Sequence, residues 1–183
     1  MKQTAKLAGT LLGICVTVAL LLGIVNSITE PIILRMQAEK TAAAMSQVLA
    51  ADSYEPLEVQ YEGVTALYRA VKGGKQIGYV AEVFAGGFNG TVKLVVGMDM
   101  NGTVTGVAVT QHTETKGVGS KVTDDPNVLG RFTGMSGEIT VNSGDNRFDA
   151  VTGATVTSKA VTAAVNTALA AVAAVQEQGG GDA

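Results

Sequence analysis

The chain has one cysteine, Cys15, one histidine, His112, and no tryptophan among its 183 residues. A single thiol closes no internal disulfide and supplies no cluster ligand set, which excludes an iron–sulfur centre held by this chain's cysteines. One histidine and one cysteine cannot build a zinc site. Basic residues do not outnumber acidic ones, the formal net charge being −3, so nothing points to nucleic acid. The sequence also lacks a phosphate-loop lysine motif and a Gly-x-Gly-x-x-Gly dinucleotide fingerprint. Any redox chemistry here therefore has to come from a borrowed organic cofactor.

Charge is absent altogether from Leu7 to Val25. At 1.5 Å per residue that run spans about 28 Å, close to the hydrocarbon core of a bilayer. A cleaved secretory signal is the competing reading, with Lys2 and Lys6 as its basic end. Signal cores are shorter, however, and end at a small-x-small site, whereas this run continues into Asn26-Ser27-Ile28-Thr29-Glu30-Pro31. A retained anchor over residues 1–30 is the expectation. The balance of Lys2 and Lys6 against Arg35 and Lys40 leans towards a cytoplasmic N-terminus, with the rest of the chain outside the cytoplasm. No charged residue inside the run offers an ion path.

Residues 31–52 are rich in Ala, Met, Gln, Glu and Lys, and Ile33, Met36, Met45, Val48 and Leu49 suggest an amphipathic helical stalk. Residues 53–178 form one domain. Ala66 to Val71 and Ile77 to Phe84 read as strands about a Lys72-Gly73-Gly74-Lys75 turn. Val92 to Met98 and Val104 to Val109 read as an antiparallel hairpin about Asn101-Gly102. Tyr54, Tyr61 and Tyr68 are read as core or strand-surface residues. Residues 120–148 read mostly as loop, with a short helix near Pro126 to Phe132 and a strand-like Glu138 to Val141. Residues 179–183 read as a disordered tail. The expected class is α+β, an antiparallel sheet against a C-terminal helix.

That helix is announced by Val161, Val165, Ala168, Leu169, Val172 and Val175, spaced by threes and fours, so it begins near Ser158. Just before it stands Asp149-Ala150-Val151-Thr152-Gly153-Ala154-Thr155-Val156-Thr157-Ser158. Hydroxyls there fit two readings, ordinary helix capping and a site where unpaired amides and the positive helix end hold an anion, with Lys159 adding charge. The Asp149-x-x-Thr152-Gly153-Ala154-Thr155 pattern resembles the flavinylation motif of the FMN-binding domain family. The resemblance implies that a flavin transferase, recognising Asp149 among other residues, joins FMN through its phosphate to Thr155. Thr152, Gly153, Ala154, Thr157, Ser158 and Lys159 are then candidate cofactor contacts.

A second segment, His112-Thr113-Glu114-Thr115-Lys116-Gly117-Val118-Gly119, is similar to the His-x-Glu-Thr-Pro-Gly-Leu-Gly segment of that family. Lys116 and Val118 replace the usual proline and leucine. His112, Glu114, Thr115 and Gly117 become candidate flavin-side residues, and the resemblance makes Gly86-Gly87-Phe88-Asn89-Gly90 part of the wall near the ring. A flexible turn between strands is the other reading of that glycine segment. Asp145, Asn146 and Arg147 read as a solvated loop.

The chain's length is similar to that of the G subunits of Rnf-type electron transport complexes rather than the longer C subunits of sodium-pumping NADH:quinone reductases. That resemblance implies an inner-membrane, single-pass carrier of electrons between ferredoxin and NAD, coupled to sodium or proton transport, with the other complex subunits as partners. A free-standing flavinylated carrier and a cofactor-free membrane-anchored interaction domain stay open as alternatives.

Overall fold

The computed structural model describes residues 2–179. The chain divides into two compact units, one ending at Lys40 and one starting at Thr41. The first is the greater part of helix α1 (Lys2–Val48), which runs unbroken through Pro31. Its aliphatic side chains from Leu7 to Leu34 are exposed, and it is long and apolar enough to cross a membrane. The apolar surface from Leu7 to Val25, free of charged residues, calls for a lipid environment. Within it the threonine hydroxyls donate back along the helix, Thr10 to the Lys6 carbonyl (3.0 Å) and Thr17 to the Gly13 carbonyl (2.8 Å), so neither needs water.

The second unit is built on a five-stranded antiparallel meander of β1 (Ser53–Leu57), β2 (Val64–Lys72), β3 (Lys75–Gly86), β4 (Thr91–Asp99) and β5 (Val104–Gln111), neighbours in space as in sequence. Gly73 and Gly74, at φ 58 and 73, close β2 onto β3 in a tight hairpin. One face is covered by the long helix α4 (Thr155–Gly179), whose Val161, Val165, Ala168, Leu169 and Val172 are buried against Leu67, Val83, Leu94 and Val96. Successive strand residues point to opposite faces, so Val95 faces the other way. There it meets Ala44, Met45 and Val48 from the end of α1, together with Ala70, Val80 and Ala108. That contact is close because Gly97 and Gly106 present bare backbone to Val48, and the Thr105 hydroxyl donates to the Val48 carbonyl at 2.7 Å. Residues read as a stalk thus divide: Ile33 and Met36 are exposed, whereas Met45 and Val48 are core.

The fold is α+β, as the sequence pattern implies, with differences at the short elements. β1 escapes the pattern because Pro56 interrupts it, and the strand lies at a sheet edge, where a missing N–H is tolerated. Between β5 and α4 lie α2 (Ser120–Thr123), α3 (Pro126–Leu129), a 3-10 turn (Gly130–Phe132), and two-residue strands β6 (Thr140–Val141) and β7 (Arg147–Phe148) paired in parallel. Of these, the sequence pattern indicates only the second helix with its 3-10 extension and β6, which is shorter than the strand-like Glu138 to Val141. Phe132 stacks on Phe148, ring centroids 4.3 Å apart, and so sews this irregular stretch to the core. α4 starts at Thr155 rather than near Ser158 and includes Gly179; residues 180–183 of the expected tail lie outside the described residues.

Candidate functional site

α4 begins abruptly. Gly153, at φ 80, turns the chain, the Ala154 N–H bonds to the Val151 carbonyl (2.9 Å), and the Ala154 carbonyl takes the first helical hydrogen bond from Ser158 N–H (2.9 Å). Ala154 therefore occupies the capping position and has no side-chain oxygen to cap with. Among the described residues, the amides of Thr155, Val156 and Thr157 have no hydrogen-bond partner. The capping reading of the hydroxyl cluster is thus corrected, because Thr155, Thr157 and Ser158 lie past the cap and Thr152 lies two residues before it. Ser158 Oγ accepts from Val151 N–H (3.1 Å), and Thr157 Oγ1 donates to Glu114 Oε2 (2.7 Å). Both side chains are buried, whereas Thr155, Thr152, Gly153 and Lys159 are exposed. Thr155 is thus an accessible hydroxyl beside open amides at the positive end of a 25-residue helix, with Lys159 one turn along the same face.

Glu114 is only 6% exposed and joins three segments that are far apart in sequence. Its Oε2 takes the Thr157 hydroxyl, and its Oε1 takes Asn89 N–H at 3.2 Å. Gly87 and Gly119 lie against the carboxyl so closely that a Cβ on either would collide with it. The glycine turn and the His112 segment are further stitched by Thr113 Oγ1 donating to the Asn89 carbonyl (2.7 Å) and Asn89 Nδ2 donating to the Thr113 carbonyl (2.9 Å). Gly87 and Gly90 of this turn are therefore required by packing, which goes beyond a flexible connection, whereas a Cβ on Gly86 meets nothing within 4 Å.

His112 closes the segment from the other side. Glu114 N–H donates to its Nδ1 (3.2 Å), and its Nε2 lies 2.7 Å from Asp124 Oδ1, an arrangement that suits a ring carrying its hydrogen on Nε2. Thr115 is exposed, and its carbonyl accepts from Val118 N–H (3.1 Å); Gly117, at φ 76, donates its N–H to Ser120 Oγ (2.8 Å). Asp149 stands exposed on the other approach to α4 and pairs with Arg147 (3.2 Å). Asn146, expected in a solvated loop, instead bridges the Ser136 and Glu138 carbonyls.

The tyrosines serve the fold. Tyr54 donates to the Leu49 carbonyl (2.7 Å), and Tyr68 donates to Glu82 Oε1 (3.0 Å). Burial above all, then the negative charge of Glu82 and the hydrogen bond to it, push the Tyr68 hydroxyl up to about 12. Sequence reasoning missed Asp124 and Asn142, polar residues whose bonds hold the site segments and whose spacing carries no motif.

An exposed threonine at an uncapped helix end, backed by a pinned glycine turn, leaves open amides at the positive end of a helix, where an anionic group is stabilised. Residues 87–170, from the glycine turn into α4, match the FMN-binding domain family, which sets the class of the domain. The G subunit of the ion-translocating oxidoreductase complex of Methanosarcina acetivorans is 32% identical over 183 aligned residues, covering 94% of this chain and 96% of the relative. The corresponding G subunit from Yersinia pestis is 32% identical and covers 81% and 80%. The chain belongs to this family of ion-translocating oxidoreductase G subunits. A crystal structure of the C subunit of Na(+)-translocating NADH-quinone reductase from Parabacteroides distasonis shares the fold, with a TM-score of 0.50 at 21% identity, over 58% of this chain and 59% of that one.

Proposed function

We propose that this chain is the membrane-anchored, electron-carrying FMN subunit of an Rnf-type complex, with FMN joined through its phosphate to Thr155 Oγ1. The observation that carries the reading is the placement of Thr155 at the first helical position of α4, exposed and beside unpaired amides, within the span that matches the FMN-binding family. The amides of Thr155, Val156 and Thr157 and the Lys159 ammonium are suited to hold phosphate oxygens. Of the four hydroxyls between Thr152 and Ser158, those of Thr157 and Ser158 are taken up inside the fold. Thr155 is thereby set apart from Thr152, which precedes the helix.

Exposed apolar side chains stand on each of the three segments that meet at Glu114. Phe88, Val118 and Val156 are exposed, and each immediately precedes a residue that touches the Glu114 carboxyl. These side chains are suited to cover a flat aromatic ring and exclude water from it. Bound FMN supplies one- and two-electron chemistry, while the chain's part is to place the flavin and set the polarity around it. His112, Glu114 and Thr115 are the polar side chains assigned to setting that polarity, Glu114 through its bonds to Asn89 and Thr157. Lys2 and Lys6 ahead of the apolar run support a cytoplasmic N-terminus and an extracytoplasmic domain in the inner membrane. The wider assignment, electron flow between ferredoxin and NAD coupled to sodium or proton transport with the other subunits as partners, rests on the relatives' names and on family resemblance.

Intact mass is the test. The full chain made with an active flavin transferase should gain one FMN less one water, and Thr155→Ala should not. A wild-type chain that stays unmodified beside an active transferase would overturn the covalent assignment.

A further inference from the structure

Asn142 is the one non-glycine residue at positive φ among the described residues, with φ 61. It directly follows β6, and its two hydrogen bonds reach across to the strand that leads into the Thr155 motif. Its own N–H donates to the Phe148 carbonyl (3.1 Å), and its side-chain Oδ1 accepts from Ala150 N–H (2.8 Å). Asp149 lies between those two contacts. Phe148 is anchored in the core by its stack on Phe132, and Val151 N–H is held by Ser158 Oγ. The backbone from Phe148 to the start of α4 is therefore tied at successive points, and Asn142 supplies the ties on both sides of Asp149.

That effort is not needed for the core. Asn142 and Asp149 are both exposed, and the buried Phe148 is held by its own packing. A side chain that holds a solvent-facing segment in one shape, from a backbone conformation few non-glycine residues adopt, points to presentation of that segment. We propose that Asn142 is a positioning residue for the modification of Thr155, holding Asp149 in the conformation that the flavin transferase recognises. The inference rests on the reading of Thr155 as the attachment residue and of Asp149, from the same resemblance, as a residue the transferase recognises.

The test measures FMN transfer to the full-length chain in detergent, by intact mass against time, with purified transferase and a flavin dinucleotide as donor: the Thr155 Oγ1–phosphorus bond forms as the pyrophosphate bond breaks, and the nucleoside monophosphate leaves with loss of the hydroxyl proton. Asn142→Gly accepts the same φ but has no side-chain acceptor, and Asn142→Asp keeps both the acceptor and a tolerance for that φ. The expected result is that Asn142→Gly raises the KM for the protein substrate roughly fivefold, the effect of one lost hydrogen bond, with kcat and Tm little changed. Asn142→Asp should recover most of the loss. Unchanged KM in Asn142→Gly would overturn the inference. Equal losses in both variants that track a lowered Tm would also overturn it, since they would mark a structural role. A wild-type chain left unmodified by an active transferase would remove the Thr155 reading and this inference together, whereas a modified wild type beside an unaffected Asn142→Gly removes the inference alone.

Discussion

Thr157→Val tests whether the Glu114 carboxyl holds the site together. Valine keeps the volume and branching of threonine at a position that is 1% exposed, so the substitution deletes a hydroxyl without opening a cavity. What is lost is the 2.7 Å bond to a carboxyl that is itself 6% exposed and retains only the 3.2 Å contact from Asn89 N–H among its bonds in the described residues. A hydrogen bond to a charged partner contributes about 1.5–3 kcal/mol, and an under-satisfied buried acceptor cannot recover that from water, so a loss of about 2 kcal/mol is expected. For a domain of roughly 140 residues, unfolding entropy converts this to a Tm lower by about 7 °C. Circular dichroism melts of the full chain in detergent measure it, with Thr157→Ser as the control that keeps the hydroxyl. A cycle with Glu114→Gln should show coupling above about 1 kcal/mol, because the two groups touch. Thr157→Val within about 0.5 kcal/mol of wild type would refute the argument that this contact clamps the start of α4.

Two other perturbations probe the fold around the site. Gly97→Ala places a Cβ 2.7 Å from the Val48 carbonyl oxygen and 2.6 Å from Thr105 Oγ1, and backbone cannot easily yield, so a loss of about 1–3 kcal/mol in urea unfolding is expected. Gly86→Ala, which meets nothing within 4 Å, should stay within about 0.5 kcal/mol, and equal effects of the two would discredit the close-approach argument. The Tyr68 hydroxyl sits at about 12 in the folded chain against an ordinary 10.0, so the folded state holds that proton more tightly. Its contribution is complete below about pH 10 and fades as pH rises through about 12. Tyr68→Phe should flatten the fall in urea midpoint across that window, and parallel curves would count against the assignment.

Legibility in the sequence follows the range of the interaction. The β4–β5 hairpin can be read because alternation and Asn101-Gly102 are local signals, and the buried face of α4 because its period is local too. Glu114 and Thr157 both stand out in the sequence, but their bond spans 43 residues and no spacing rule connects them. The start of α4 falls three residues earlier than the pattern indicates because three hydroxyls in four positions mimic a cap, and only the Ala154 carbonyl bond shows where the helix begins. Asn142 gives only a weak signal, since asparagine tolerates a positive φ better than other side chains but nothing in its spacing says that this one adopts it. Gly97 and Gly106 look like weaknesses in strands until Val48 is found against them.

That last contact changes what counts as the domain. The eight residues Thr41–Val48 belong to the same helix as the lipid-facing run, yet their apolar side chains complete the second face of the sheet. A soluble form trimmed at the end of the hydrophobic segment keeps this cover, whereas one trimmed at the first strand, at Ser53, would bare Val80, Val95 and Ala108 and invite aggregation through that face. Tether and globule share material, and the boundary for engineering a water-soluble version falls inside a helix rather than after it.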